Sequence, residues 1–161
     1  MAQSLLGRLQ SLGPRELNWS DPGDPGTLDA LEAEFGFTFP DDYREVMQAR
    51  DGFGLARHRT ALNVLRARGL SEHNADEEFE EGLPGMFVIG TDGGGSVYFY
   101  DPQGRLGKGR WALFLVPLSD LDFAESRFVG TSLAEVVDAI LRDEDFHARP
   151  RLGPGPASAA E

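Results

Sequence analysis

Phe87-Val88-Ile89-Gly90-Thr91-Asp92-Gly93-Gly94-Gly95-Ser96-Val97-Tyr98-Phe99-Tyr100-Asp101 is the stretch on which the fold turns. Val97 to Tyr100 is aromatic or β-branched at every position. Both faces of that segment must be covered, as in a central strand. Met86 to Ile89 reads as a second, shorter strand. The glycines between them let the backbone turn without steric cost. A phosphate-cradling reading of Asp92 to Ser96 fails on context. Such loops open a helix, usually with a lysine, whereas these glycines lead into a strand with no lysine nearby. Ser96 does not form a nucleophile elbow either, because Tyr98 takes the place of the last glycine and a strand follows.

Outward to the C-terminus, Asp101-Pro102-Gln103-Gly104 reads as a type I turn, and Trp111 to Val116 as a strong strand. Residues 117–128 are a mixed connector, with a short edge strand near Phe128-Val129. Ser132 and Glu135 have capping-box spacing. Leu133, Val136, Val137, Ile140 and Leu141 then form the buried stripe of a closing helix. From Pro150 the chain is Pro, Gly, Ala and Ser without periodicity, which predicts a disordered tail over 150–161.

Outward to the N-terminus, the spacing predicts a helix over 58–71, with Leu62, Leu65 and Val64 inward. Arg57, Arg59, Arg66 and Arg68 make this the most basic stretch. Residues 72–82 then turn acidic. Tyr43, Val46 and Met47 mark an earlier helix. It starts at Pro40, carries Asp41 and Asp42 in its first turn, and ends near Asp51-Gly52. Before it, Leu28, Leu31 and Phe35 mark another, with Thr27 as N-cap and Gly36 as terminator. Residues 13–26 are a Pro/Gly-rich connector, and Leu5, Leu6, Leu9 and Leu12 a short amphipathic helix over 3–12. Trp111 reads as core, and Trp19 as a clamp for the connector or an interface residue. Helices, then strands, then a closing helix indicate an α+β fold.

Composition narrows the partners. The 161 residues carry 15 Lys+Arg and 27 Asp+Glu, a formal charge of −12. That charge disfavours nucleic acid and anionic membrane surfaces and steers a basic protein partner inward. The absence of cysteine excludes disulfides and thiolate chemistry. It suits a reducing, cytoplasmic setting. The start of the chain lacks the apolar core of a signal peptide, and no apolar run approaches a membrane span.

Catalytic constellations are weak. His73 with Asp76 and Glu77 could share a helical face, but one such cluster on an acidic surface reads as solvated charge. Carboxylate pairs such as Asp41/Asp42 and Asp120/Asp122 mark no cleft. No catalytic residue, metal site or cofactor is assigned. Arg57, His58 and Arg59 are expected to pair with the acidic run that follows them.

Two blocks carry a resemblance. The first runs from Leu31-Glu32 through Phe39-Pro40-Asp41-Asp42-Tyr43 to Asp51-Gly52. The second is Phe87 to Gly95 followed by Tyr98-Phe99-Tyr100-Asp101. With Phe128 and Ser132, Leu133, Val136 and Val137, they resemble the SUKH superfamily (Smi/Knr-type domains) over roughly residues 26–142. Residues 54–83 carry no family signal. The resemblance implies a small, mostly antiparallel sheet packed by helices, here over residues 26–149, with residues 1–25 a helix and connector. It implies a non-enzymatic protein that binds a cognate toxin, or alternatively a regulatory interaction module. With the acidic charge, a basic toxin is the expected partner. The expected contact surface is Asp76, Glu77, Glu78, Glu80 and Glu81, then Asp120, Asp122 and Glu125.

Overall fold

A computed structural model describes residues 4–153. Seven strands form one antiparallel sheet in sequential order: β1 Leu17–Trp19, β2 Phe53–Ala56, β3 Ala61–Val64, β4 Phe87–Thr91, β5 Ser96–Asp101, β6 Ala112–Pro117 and β7 Arg127–Gly130. Its α-helices are α1 Leu5–Gln10, α2 Pro25–Phe35, α3 Asp41–Ala49, α4 Ala67–Asn74, α5 Glu77–Gly82 and α6 Leu133–Leu141. The arrangement is the α+β fold that the order of elements indicated, with the antiparallel sheet that the resemblance implied.

Strand periodicity sorts the side chains into two cores. Phe87, Ile89, Tyr98, Tyr100, Leu113 and Leu115 face one side, where they meet Leu28, Leu31, Tyr43, Val46, Leu133, Val136 and Ile140 from the helices. Val88, Val97, Phe99, Ala112, Phe114 and Val116 face the other side. That second face is covered thinly, by Phe79 of α5, Leu83, Leu121, Phe123 and Leu152. The prediction that Val97–Tyr100 is covered on both faces is met: all four are buried.

The first motif block is held by carboxylates acting on backbone. Glu32 Oε2 accepts from the Phe39 N–H at 2.7 Å while its other oxygen pairs with Arg44. Asp42 Oδ2 accepts from the Ala134 N–H at 3.0 Å, tying α3 to the start of α6. Asp51 is buried and accepts from the Ala67 N–H at 2.6 Å, so it caps α4 from outside that helix. Gly52 follows at φ 99°, and a Cβ there would meet the Val64 carbonyl at 2.6 Å. Only glycine meets both conditions.

The second block follows the same logic. Asp92 Oδ1 accepts from Gly94 and Ser96 N–H groups at 2.8 and 3.0 Å, which pins the glycine loop. Fully buried Asp101 accepts from Arg105 and Leu106 N–H groups at 3.0 and 2.8 Å. Ser96 lies buried at the start of β5.

The structure corrects several expectations. Residues 58–71 are not one helix: β2 and β3 form a hairpin there, and α4 begins only at Ala67. Leu62 and Val64 are buried while Asn63 is exposed, which is strand alternation. Thr27 is not the N-cap of α2. Asp24 is, accepting from the Gly26 N–H at 3.0 Å, with Pro25 entering the first turn. Trp19 clamps the connector as one of the two readings held: it sits in β1, edge-on to Phe53 at 5.9 Å, with Arg50 over its ring. Trp111 is half-buried rather than fully enclosed, at φ 63°, with its ring against Phe37 and Tyr100.

The expected tail divides. Residues 151–153 run along the turn that leads into β7: Leu152 N–H donates to Ser126 O at 2.8 Å and Gly153 N–H to Ala124 O at 2.9 Å. A bridge also joins Arg127 and Arg151. Arg149 anchors the approach through the Phe128 and Val129 carbonyls and Glu144. Hydrogen bonds from Arg142 and then Arg149 hold the Glu144 carboxyl below its ordinary range. The rest of that expectation, residues 154–161, lies outside the described residues.

The Tyr43 and Tyr100 rings pack edge to face at 5.9 Å, yet both hydroxyls are buried with no hydrogen-bond partner among the described residues. Burial pushes both phenols well above their ordinary pKa. Tyr100→Phe keeps the ring and removes a polar atom that gains nothing from being inside. Stability is expected to change by less than about 1 kcal/mol or to rise, read from the urea denaturation midpoint. A loss of several kcal/mol would show that the hydroxyl is satisfied.

Candidate functional site

The acidic run lies on α5 and its cap. Asp76 is the N-cap, its Oδ1 accepting from the Glu78 N–H at 2.8 Å. Glu77, Glu78, Glu80 and Glu81 are exposed, while Phe79 between them turns inward to the second core. Acidic residues in a first turn are favoured by the helix dipole, which accounts for part of the run.

The second acidic segment lies on the β6–β7 connection. Its path is fixed by the Leu118 N–H on Gly95 O at 2.8 Å and by Asp122, which caps the turn Phe123–Glu125 through the Ala124 N–H at 2.9 Å. Asp120 and Asp122 are exposed. Glu125 is less available, because it pairs with Arg151 at 2.9 Å.

Tertiary structure brings the two segments together. Gly82 at the end of α5 lies directly against the backbone of Leu121, and a Cβ at Gly82 would collide with the Leu121 carbonyl. Glu78, Glu81, Gly82, Leu118 and Leu121 thereby line one hollow of about 300 Å³. Leu118 is 46% exposed, the one large hydrophobic so placed among the described residues. Sequence reading passed over it, since one leucine in a connector carries no periodic signal.

The expected pairing of the basic stretch with this acidic run does not occur. Arg57 pairs with Glu16 at 2.8 Å, Arg66 and Arg68 with Asp21 at 3.3 Å, and the Arg59 N–H donates to Asp143. The hairpin turns these arginines toward β1 and its connector instead. Among the described residues, Asp76, Glu77, Glu78, Glu80, Glu81, Asp120 and Asp122 consequently form no salt bridge. Glu78 and Glu81 thus border the hollow with no ion-pair partner among the described residues.

The remaining candidates do not assemble. Among the described residues no group of three or more His, Asp or Glu side chains is placed to hold a metal ion. His147 Nε2 lies 3.3 Å from Asp92 Oδ2 and ties the last turn, Phe146–Ala148, to the glycine loop. A separate concavity is lined by Lys108, Phe128, Arg149, Pro150, Arg151 and Leu152. Two of its three cations are already neutralised by Glu144 and Glu125. No described helix is long and apolar enough to cross a membrane.

Comparison with known proteins places this framework. An uncharacterised Bacillus subtilis (strain 168) protein, YnaB, is 28% identical over 82 residues, covering 47% of this chain and 55% of that protein. The match thus spans little more than half of that relative's length. The SMI1 / KNR4 family (SUKH-1) matches residues 22–139, which takes in both motif blocks, the glycine loop and most of α6. With the motif carboxylates at work on backbone and the sheet in the order described, the chain belongs to the SMI1 / KNR4 family (SUKH-1).

Proposed function

We propose that this protein is an immunity protein that binds and neutralises a cognate protein toxin by surface contact. The observation that carries the reading is the meeting of the two acidic segments at one hollow, where Glu78 and Glu81 have no salt-bridge partner among the described residues. Toxins that act on nucleic acid must hold phosphate and are basic near their site. An acidic face meets such a surface quickly and in register, because complementary charge raises the encounter rate and penalises wrong partners. The motif residues support contact rather than turnover. Asp51, Asp92 and Asp101 are each engaged with backbone N–H groups, which makes them scaffold. The setting we propose is the cytoplasm, where such a toxin would be met.

The test is co-expression with a toxin domain encoded beside this gene. Growth is expected to be restored, and the two proteins are expected to co-purify. Undiminished killing by the toxin would end the immunity reading. Stable complexes with endogenous proteins alone would move the assignment to a regulatory interaction module.

A further inference from the structure

We propose that the hollow at Leu118 is the apolar anchor of the docking face, and that its occupant is a protein segment presenting an apolar side chain flanked by lysine or arginine. This rests on the reading of the acidic face as a partner surface and adds the chemistry of what fits there. A lone exposed leucine means little by itself. Its setting is what counts here. Leu118, the half-buried Leu121 and Gly82 line the hollow together with the carboxylate-bearing Glu78 and Glu81. At about 300 Å³ and largely open to solvent, the hollow is a shallow depression that a side chain from a partner can cover.

Charge selects the occupant. A purely apolar segment would strip water from Glu78 and Glu81 and return nothing, which is costly. A segment with acidic flanks would be repelled. Lysine or arginine lays its aliphatic stem along an apolar side chain while its head meets the carboxylates, so both halves of the hollow are satisfied. The anchor is also held before binding. The Leu118 N–H is fixed on Gly95 O, and Leu121 packs on the second core. Less ordering entropy is then lost on association.

The probe is a helical peptide of alternating lysine and leucine pairs, titrated into the full chain by calorimetry. A peptide of the same length and charge with serine for leucine is the control. Wild type is expected to bind the Lys–Leu peptide at least about tenfold more tightly than the Lys–Ser peptide. Leu118→Ser is expected to erase that preference while leaving the melting temperature unchanged, because the side chain is exposed. Glu78→Lys with Glu81→Lys is expected to weaken both peptides. Equal binding of the two peptides by wild type, or an undiminished preference in Leu118→Ser, would overturn the proposal. Intact peptide discrimination with failed toxin protection would leave the anchor standing and remove the neutralisation reading.

Discussion

Asn74→Ala is expected to destabilise the protein by about 2–6 kcal/mol, the cost of orphaning two buried backbone groups at about 1–3 kcal/mol each. Asn74 closes α4 and is buried. Its Nδ2 donates to Val88 O at 2.9 Å and to Leu70 O at 3.0 Å, and its Oδ1 accepts from the Val88 N–H at 2.7 Å. The ladder is irregular here, since the pairing of β4 with β5 slips between Val88 and Gly90, and the Asn74 amide satisfies both backbone groups of Val88. A domain is stable by only about 5–15 kcal/mol, so the loss is a large share of the total. Urea denaturation at neutral pH measures it. Asn74→Asp keeps the acceptor for the Val88 N–H but offers Val88 O no donor and buries a charge, so it is expected to be no better than alanine. A change below about 0.5 kcal/mol, the level of an ordinary surface substitution, would refute the assignment.

Charge reversal on the docking face is expected to have the largest effect on binding. Glu78→Lys with Glu81→Lys should slow association with a basic cognate toxin by about tenfold or more at low salt, since steering of this kind raises encounter rates by about 10–10³-fold. Both side chains are exposed and neither forms a salt bridge among the described residues, so the folding cost should be limited to the lost dipole interaction of Glu78, about 0.3–1 kcal/mol. Stopped-flow association at two ionic strengths checks the mechanism. The rate difference should shrink at high salt, where exposed charges are screened within several ångströms. The same double reversal at Glu34 and Glu45, exposed on helices that pack against the opposite face, is the control. Equal slowing by both pairs would mean that net charge alone matters and that no particular face is used.

How much was legible depended on the range of the cause. The closing helix was read correctly because its signals are local: five apolar side chains at helical spacing and Ser132 accepting from the Glu135 N–H at 3.1 Å. Even there one detail differs, for the Glu135 carboxylate takes the Thr131 hydroxyl rather than closing the box on Ser132. The doubly covered strand was equally plain, because every side chain of Val97–Tyr100 had to be apolar or aromatic. The β2–β3 hairpin was not legible. Its strands are four residues each, and its turn, Arg57-His58-Arg59-Thr60, lacks Gly, Pro and Asn. Leu62 and Leu65 also fit a helical period as well as a strand. Missing that hairpin misdirected the arginines, and hence the expected salt bridges.

The acidic residues themselves could be named from sequence, but their neighbourhood could not. Nothing local joins α5 to the β6–β7 connection. Their meeting depends on a missing Cβ at Gly82, seen only once Leu121 is opposite it. Leu118 illustrates the same limit: its exposure is a property of the layer above the second core, absent from any pattern of spacing.

The strip formed by residues 151–153 reaches beyond the anchoring of a chain end. A sheet border offers free donors and acceptors to any extended polypeptide it encounters, and polymers of strands grow from such borders. Here the chain end bridges Arg127 at the start of the far border and the Arg149 guanidinium takes the Phe128 and Val129 carbonyls, while the opposite border, β1, is three residues long. Growth by strand addition is thereby discouraged at both ends. The protein can therefore accumulate to high concentration without its sheet seeding fibres.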